Sequence, residues 1–194
     1  MIRSLRPAIV TVAFFTLLLG LGYPLLVTGA AQAVFPNQAN GSLVRSADGT
    51  VVGSALIGQP FAGAGYLHPR PTAAGDGYDA SASSGSNYGP LNADLATRVA
   101  ESATAIRAAD GPGAVPADAV TTSASGLDPD ISPEYAQRQA ARIAAARGAP
   151  VEEIRRVISQ HTEGALLGFI GQPHVNVLMT NRALDARFPA PAGA

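Results

Sequence analysis

Three histidines are the side chains in this sequence best suited to metal binding or acid–base chemistry near neutral pH. His68, His161 and His174 lie far apart, and none has another histidine two, three or four positions away. Zinc sites often draw ligands from such short spacings, so the sequence predicts no metal site. A serine hydrolase often carries its nucleophile in a Gly-x-Ser-x-Gly turn, which is absent. A hydrolase would therefore need the fold to bring a serine to His161 or His174.

Four polar residues at alternate positions resemble the opening of a calcium-binding loop: Asp128, Asp130, Ser132 and Glu134. The resemblance fails on spacing, because the sixth position is Pro133 where glycine is required and the twelfth is Gln139 rather than glutamate. We interpret Asp128 and Asp130 as the approach to a helix N-terminus, where carboxylates interact favourably with free backbone N–H groups.

The run Ser123-Ala124-Ser125-Gly126 precedes these acids and supplies hydroxyl groups and a flexible backbone. Such a run before a helix start could bind an anion. The two nearby carboxylates argue against a phosphate at that place, and a capped turn is the alternative interpretation.

Composition excludes several classes of function. The 194 residues include no cysteine and no lysine, and all 13 basic residues are arginine. The sequence therefore excludes disulfides, thiolate metal sites, a Walker A loop and a Schiff-base lysine. After residue 44, 11 arginines against 14 acidic residues give a net charge of −3, which is not the footprint of a nucleic-acid-binding protein.

The segment from Pro7 to Val44 carries no charge, and most of Ala8 to Ala31 is apolar. About 20 apolar residues are enough for a helix to cross a membrane. Because Arg3 and Arg6 precede the segment, we expect a cytoplasmic N-terminus and an extracytoplasmic body. A cleaved signal peptide is the alternative, since Ala31-Gln32-Ala33 fits a cleavage pattern, but the apolar stretch exceeds the ~7–15 residues of a signal sequence.

Three residues interrupt the helical pattern inside this segment: Gly20, Gly22 and Pro24. Membrane helices tolerate them, and small residues allow a second helix to approach closely. We expect these residues to pack against a partner helix, and the alternative is that they reflect only the high frequency of glycine in membrane helices.

Further along the chain, the sequence predicts a hairpin across Ser42–Ile57 with an Asp48-Gly49 turn, and a long loop over 71–90. It predicts helices from Asn92 to Ala109, from Ser132 to Arg147 and from Val151 to about His161. The alternation of Val175, Val177 and Met179 predicts a strand.

These elements predict an α+β fold: one N-terminal transmembrane helix followed by a single extracytoplasmic α+β domain. The predicted organisation is a cytoplasmic N-terminus (1–6), a transmembrane helix (7–31), the domain (32–188) and a disordered tail (189–194).

Five groups of motifs occur in the order found in one family, together with the N-terminal anchor: Ser54-Ala55-Leu56-Ile57-Gly58-Gln59, His68-Pro69-Arg70-Pro71, Gly85-Ser86-Asn87-Tyr88-Gly89-Pro90, Ser123-Ala124-Ser125-Gly126-Leu127-Asp128-Pro129 with Ile131-Ser132-Pro133, and Gly171-Gln172-Pro173 with Val175-Asn176-Val177-Leu178. With them the chain resembles the KdpC family, the C subunits of the bacterial Kdp potassium-transporting P-type ATPase. It departs from the commonest family pattern at Asp130 and Pro69.

The resemblance implies a single-pass inner-membrane subunit that has no active site of its own and binds no cofactor directly, while ATP and potassium act in the complex. The implied partners are a channel-like potassium-translocating subunit, the P-type ATPase subunit and a small single-helix subunit. The family is described as a catalytic chaperone that raises the ATP affinity of the ATPase subunit.

The resemblance also implies site residues. Gln139 is the glutamine associated with the chaperone role, and Ser123, Ser125, Gly126 and Asp128 are further candidates for nucleotide or partner contact. In the 71–90 loop we expect Tyr78, Asn87 and Tyr88 to face a partner, and packing of this loop onto the domain's own surface is the alternative.

The predicted orientation conflicts with a direct nucleotide contact, because Gln139 would lie outside while ATP lies inside. We therefore expect the domain to cap the outer mouth of the translocating subunit. A stand-alone, membrane-anchored extracytoplasmic binding protein is the alternative function.

Overall fold

The computed structural model describes residues 2–189, and the chain divides into two compact units, Met1–Val52 and Gly53–Ala194. Both helices and strands are present, which confirms the predicted α+β class. Apart from Pro189, the predicted tail lies outside the described residues.

The first unit begins with a long apolar helix in three sections: α1 (Ile2–Leu17), a π-helical segment (Leu18–Gly22) and α2 (Tyr23–Val34). Within it, Arg3–Val34 is a stretch of 32 residues, whose most apolar 18 residues have a mean hydropathy of 2.1 and include no buried residue. At 1.5 Å per residue, this stretch is long enough to cross ~30 Å of hydrocarbon. It contains the predicted span 7–31 and is followed by the short helix α3 (Pro36–Ala39).

Pro24 accounts for the π-helical segment. Proline has no N–H to donate, and its ring collides with the carbonyl four residues earlier, which here belongs to Gly20. The helix widens in the preceding turn, where Tyr23 N–H donates to the Leu18 carbonyl, five residues back. Gly20 and Gly22 thus lie in a locally irregular part of the helix.

The predicted hairpin is confirmed by the paired strands β1 (Leu43–Arg45) and β2 (Val51–Ser54). Asp48 Oδ1 accepts a hydrogen bond from Thr50 N (3.0 Å), and Ser46 N donates to Thr50 O (2.9 Å). Gly49 has φ +85°, a conformation that glycine adopts at no steric cost.

The second unit contains six helices and three strands among the described residues after Gly53: α4 (Ala93–Asp110), α5 (Ala117–Val120), β3 (Asp130–Ile131), α6 (Pro133–Arg138), α7 (Ala140–Arg147), α8 (Val151–Gln160), β4 (Thr162–Glu163), β5 (His174–Asn176) and α9 (Val177–Arg187). The sheet order is β3-β5-β4, with both pairs antiparallel. The helices and the sheet enclose a core that includes Leu67, Tyr135, Ile143, Ile154, Ile158, Val175 and Leu184.

Local signals located α4 and α8 correctly. Asn92 caps α4, since its side chain accepts hydrogen bonds from Asp94 N and Leu95 N. In α8 the predicted stripe faces inward, with Ile154, Val157 and Ile158 buried.

The predicted helix from Ser132 to Arg147 is correct at both ends but interrupted in the middle. The Ser132 hydroxyl accepts from Tyr135 N (3.1 Å), and Gly148 ends α7 in the left-handed conformation. Between them, Gln139 N bonds to Ala136 O, three residues back, so the chain forms a tight turn between α6 and α7.

The predicted strand through Met179 is wrong beyond Asn176. The chain turns into α9, and the Asn176 side chain caps this helix by accepting from Met179 N (3.1 Å). The buried residues of α9 follow a helical spacing: Val177, Leu178, Thr180, Asn181 and Leu184. The alternation of three apolar residues was a weaker signal than this longer pattern.

Candidate functional site

Gln139 lies at the turn between α6 and α7, and its side chain is fully buried. Its carbonyl oxygen Oε1 accepts hydrogen bonds from His68 N (2.7 Å) and from Arg142 Nη2 (2.6 Å). Its amide Nε2 donates to His68 O (3.1 Å). The side chain therefore satisfies both backbone groups of His68, as a neighbouring strand would.

Asn181 of α9 does the same for the preceding residue. Its Oδ1 accepts from Leu67 N (2.7 Å), and its Nδ2 donates to Leu67 O (3.0 Å). Two buried amide side chains thus fix the segment Leu67–His68, one from the turn between α6 and α7 and one from α9. Sequence reasoning missed Asn181 because it missed α9.

Arg142 extends this network towards α4. Its Nε donates to Asp110 Oδ1 (2.7 Å), and the two side chains are only 10% and 4% exposed. Its Nη1 donates to the carbonyls of Ala64 (2.6 Å) and Tyr66 (3.0 Å). This buried charge is paired and hydrogen-bonded, as a low-dielectric environment requires.

The ring of His68 shares this environment. Burial first, and the positive charge of Arg142 second, lower the pKa of His68 below its usual value. The ring Nε2 lies 3.0 Å from Gly63 O. The structure therefore favours a neutral imidazole inside the network.

Arg147 joins the segment at Gly65 to the C-terminal end of α9. Its Nε donates to Gly65 O (2.6 Å), its Nη1 to Phe188 O (2.6 Å), and its Nη2 pairs with Asp185 (2.9 Å). Its guanidinium also lies 4.8 Å from the centre of the Tyr66 ring. The sequence signal that could have identified Arg147 was its position on the buried stripe of a predicted helix, four residues after Ile143.

The predicted residues Ser125 and Gly126 hold the 71–90 loop, and Ser123 and Asp128 lie beside them, with the Ser123 hydroxyl 3.3 Å from that of Ser125. Thr72 Oγ1 donates to Gly126 O (2.6 Å), and Ser83 Oγ donates to Ser125 O (2.8 Å). Asp128 pairs with Arg70 (2.7 Å), and Ser125 Oγ accepts from Leu127 N (3.1 Å). The described contacts of Gln139 include none of these four residues.

Gly126 packs closely against the backbone of the 71–90 loop. Its φ is +67°, and a Cβ at this position would lie 2.5 Å from Ser84 O and 2.8 Å from Ala74 N. The loop therefore packs so tightly on residue 126 that a side chain larger than hydrogen does not fit.

The three predicted loop residues have different surroundings. The Tyr78 hydroxyl donates to Arg70 O, and burial raises the pKa of this phenol. Tyr88 is exposed, with the Arg98 guanidinium 5.2 Å from its ring centre. Asn87 is exposed in the left-handed conformation with φ +54°. Tyr78 thus points into its own domain, and Asn87 and Tyr88 point outward.

An open cleft of about 590 Å³ lies beside β3, and its charged lining is mostly acidic: Arg70, Asp118, Asp128, Asp130, Glu134 and His174. Asp118 accepts from Ser132 N (2.7 Å) and Oγ (2.9 Å), so this carboxylate supports the cap of α6. His174 Nε2 lies 3.8 Å from both Asp130 and Glu163. Among residues 2–189, no group of three or more metal-ligating side chains is placed to hold a metal ion.

A family model described as "KdpC: K+-transporting ATPase, c chain" matches residues 5–186. The chain belongs to the KdpC family. The match covers the apolar helix as well as the folded unit that carries both groups of contacts, and it confirms the resemblance found in the sequence motifs.

Curated relatives agree with this KdpC assignment. The chain is 64% identical over 189 residues to a protein of Caulobacter vibrioides (strain NA1000 / CB15N), covering 97% of this chain and 96% of that protein. It is 65% identical over 191 residues to one of Caulobacter sp. (strain K31), covering 98% and 97%. A Myxococcus xanthus protein is 54% identical over 196 residues, covering 100% and 91%. All three are named Potassium-transporting ATPase KdpC subunit.

Proposed function

We propose that this KdpC-family chain is a non-catalytic accessory subunit of an ATP-driven, high-affinity potassium import complex. The observation that carries the proposal is the family match over residues 5–186. The proposed partners are a channel-like potassium-translocating subunit, a P-type ATPase subunit and a small single-helix subunit. ATP and potassium act in those partners.

The proposed location is the inner membrane, with a cytoplasmic N-terminus and an extracytoplasmic domain. The apolar helix Arg3–Val34 supports the membrane location, and the arginines at its start support the orientation. Gly20, Gly22 and Pro24 are proposed to pack against a partner helix, since the π-helical segment exposes small residues there.

In this orientation the domain is proposed to stabilise the assembly and to cap the outer mouth of the translocating subunit. The charge of −3 after residue 44 weakly favours cations near that mouth, although salt screens such fields beyond ~8 Å. Exposed side chains are the proposed partner contacts: Ser125, Asn87 and Tyr88.

The chaperone effect on ATP affinity is proposed to pass through the assembly. Gln139 is buried and hydrogen-bonded to His68 and Arg142, which supports a role as a positioning residue behind the contact surface. Gly126 is proposed to act similarly by holding the 71–90 loop, and Asp128 and Ser123 by supporting the segment around Gly126.

The test is affinity purification of the tagged full-length chain, expressed with its neighbouring subunits in the native membrane. We expect a stable particle of several subunits that transports potassium. A chain truncated after Ala33 should give a lower yield of this particle or a weaker potassium affinity. Recovery of the full-length chain as a lone monomer would instead favour the stand-alone binding protein.

A further inference from the structure

The turn between β4 and β5 exposes four large apolar side chains within five residues. Leu166, Leu167, Phe169 and Ile170 are 67%, 76%, 77% and 49% exposed. We call residues 165–171 the apolar hairpin. Single exposed apolar residues are ordinary on protein surfaces, but a contiguous group of this kind marks an interaction site.

The apolar hairpin has a closed backbone. Leu166 N donates to Ile170 O (2.8 Å), Ile170 N donates to Leu166 O (2.9 Å), and Gly168 N donates to Ala165 O (2.9 Å). At its base, Glu163 pairs in register with His174 across the antiparallel strands. Because these amides are already satisfied, the hairpin can enter an apolar environment without leaving them unpaired.

Leu167 is the clearest indication of a role beyond folding. It has φ +55°, which non-glycine residues rarely adopt, and its side chain points into solvent. The domain therefore holds an apolar residue in an unfavourable conformation without burying it. Strained backbone of this kind clusters at functional sites.

The charges around the apolar hairpin identify the kind of surface that it fits. Residues 164–173 carry no charge, the nearest ionised side chain in sequence is the exposed Glu163, and the chain has no lysine. Peripheral binding to an anionic bilayer surface relies on basic side chains near the inserted apolar residues. A protein cavity lined by apolar side chains needs none, and aromatic and aliphatic anchors suit it.

We propose that the apolar hairpin inserts into an uncharged apolar cavity on a membrane-embedded subunit of the complex. This inference rests on the proposed function, which supplies that partner. Phe169 and Leu167 are the two anchors, since they are the most exposed of the four.

The test compares Phe169→Ser and Leu167→Asn with the control Leu91→Ser in the tagged full-length chain, co-expressed with its partner subunits. Asparagine tolerates the left-handed conformation at position 167, and Leu91 is 99% exposed but lies far from the apolar hairpin in sequence. We expect each hairpin variant to lower the recovery of partner subunits about tenfold or more, and the control to leave it unchanged. None of the three chains should unfold at a lower denaturant midpoint than the wild type.

The outcomes separate the two proposals. Wild-type recovery of partners together with full recovery in both hairpin variants would overturn the docking proposal alone. A wild-type chain that recovers no partner would overturn the proposed function. If the purified chain alone forms a dimer that Phe169→Ser dissociates, the hairpin binds a second copy and the proposal is wrong.

A fluorescent probe distinguishes a lipid surface. Because the chain has no cysteine, Leu167→Cys and the control Leu91→Cys each accept one polarity-sensitive dye. In partner-free nanodiscs of phosphatidylethanolamine and phosphatidylglycerol, we expect both dyes to report water. A blue shift at position 167 alone would assign the hairpin to the bilayer and overturn the proposal.

Discussion

At the scale of single residues, the side chain of Gln139 makes the two hydrogen bonds to the His68 backbone that a neighbouring strand would otherwise make. It bonds both backbone groups of His68, and its partners lie 71 residues away in sequence. Gln137, two residues earlier, is a matched control, because its amide donates to the exposed Ser159 Oγ of α8 (3.1 Å) rather than to a buried group.

We expect Gln139→Leu to lower the free energy of unfolding by about 3 kcal/mol, since buried groups of His68 and Arg142 lose their partner. Gln137→Leu should cost less than about 1 kcal/mol. Urea unfolding of the full-length chains in detergent measures both. Equal losses of unfolding free energy in the two variants would contradict the buried network. An unchanged midpoint for Gln139→Leu would show that stability does not need this side chain, which would then be available to contact a ligand.

The buried ring of His68 makes stability depend on pH. Its pKa in the folded chain is lowered from about 6.5, so the unfolded chain takes up a proton at a higher pH. The stabilisation is complete above about pH 6.5 and is lost as the pH falls towards the folded pKa. Burial raises the pKa of Asp130 above the usual carboxyl value, so protonation of this group favours the folded chain as the pH falls and opposes the effect of His68.

We therefore expect the denaturant concentration at the unfolding midpoint of the wild type to decrease when the pH is lowered from 7.5 to 5.5. His68→Gln should reduce this fall, because glutamine does not take up a proton. His161→Gln is the control and should show the same decrease in midpoint as the wild type, since it leaves the His68 ring in place. The same slope in all three chains would assign the pH dependence to other groups.

At the scale of elements, the 71–90 loop is held by the backbone of residues 123–128 rather than by a sheet. Its contacts run to carbonyls of Ser125 and Gly126, and to the Arg70–Asp128 pair beside them. A long segment without strands or helices thus gains a defined path from side-chain hydrogen bonds.

Two glycines in the left-handed conformation test this contact between the 71–90 loop and residues 123–128. Gly126 has φ +67° and is crowded by Ser84 and Ala74, whereas Gly148 has φ +61° and nothing within 4 Å of an added Cβ. We expect Gly148→Ala to cost about 1 kcal/mol, the price of the backbone conformation alone. Gly126→Ala should cost at least about 2 kcal/mol more, because backbone atoms must move. Thermal or urea unfolding measures the difference, and equal costs would mean that the loop is not clamped there.

At the scale of the whole molecule, the proposed function depends on which side of the membrane each end of Arg3–Val34 faces. The absence of cysteine makes this measurable with single substitutions. Gly89 lies in the exposed loop with nothing within 4 Å of an added Cβ, and Ser4 precedes the apolar segment.

We expect a membrane-impermeant maleimide to label Gly89→Cys in intact spheroplasts, and Ser4→Cys only after permeabilisation. The cysteine-free wild type is the background control. The reverse pattern would overturn the proposed orientation, place the domain beside cytoplasmic ATP and make a direct nucleotide contact of the domain possible.

The sequence by itself determined the long apolar N-terminal helix, the hairpin turn, the caps at Asn92 and Ser132, and the family. These features depend on residues that are close together in the chain: the length of an apolar run, an Asp-Gly pair, or a side chain and an amide two or three positions later. Such interactions can be recognised without knowing the fold.

The tertiary structure alone decided the interruption at Gln139, and which distant groups satisfy the buried side chains of Arg142, Arg147 and Asn181. Each depends on a partner far away in sequence, such as Leu67 for Asn181 at a separation of 114 residues. A polar side chain is stable inside a core only when such distant groups satisfy it, and the local sequence does not contain that information.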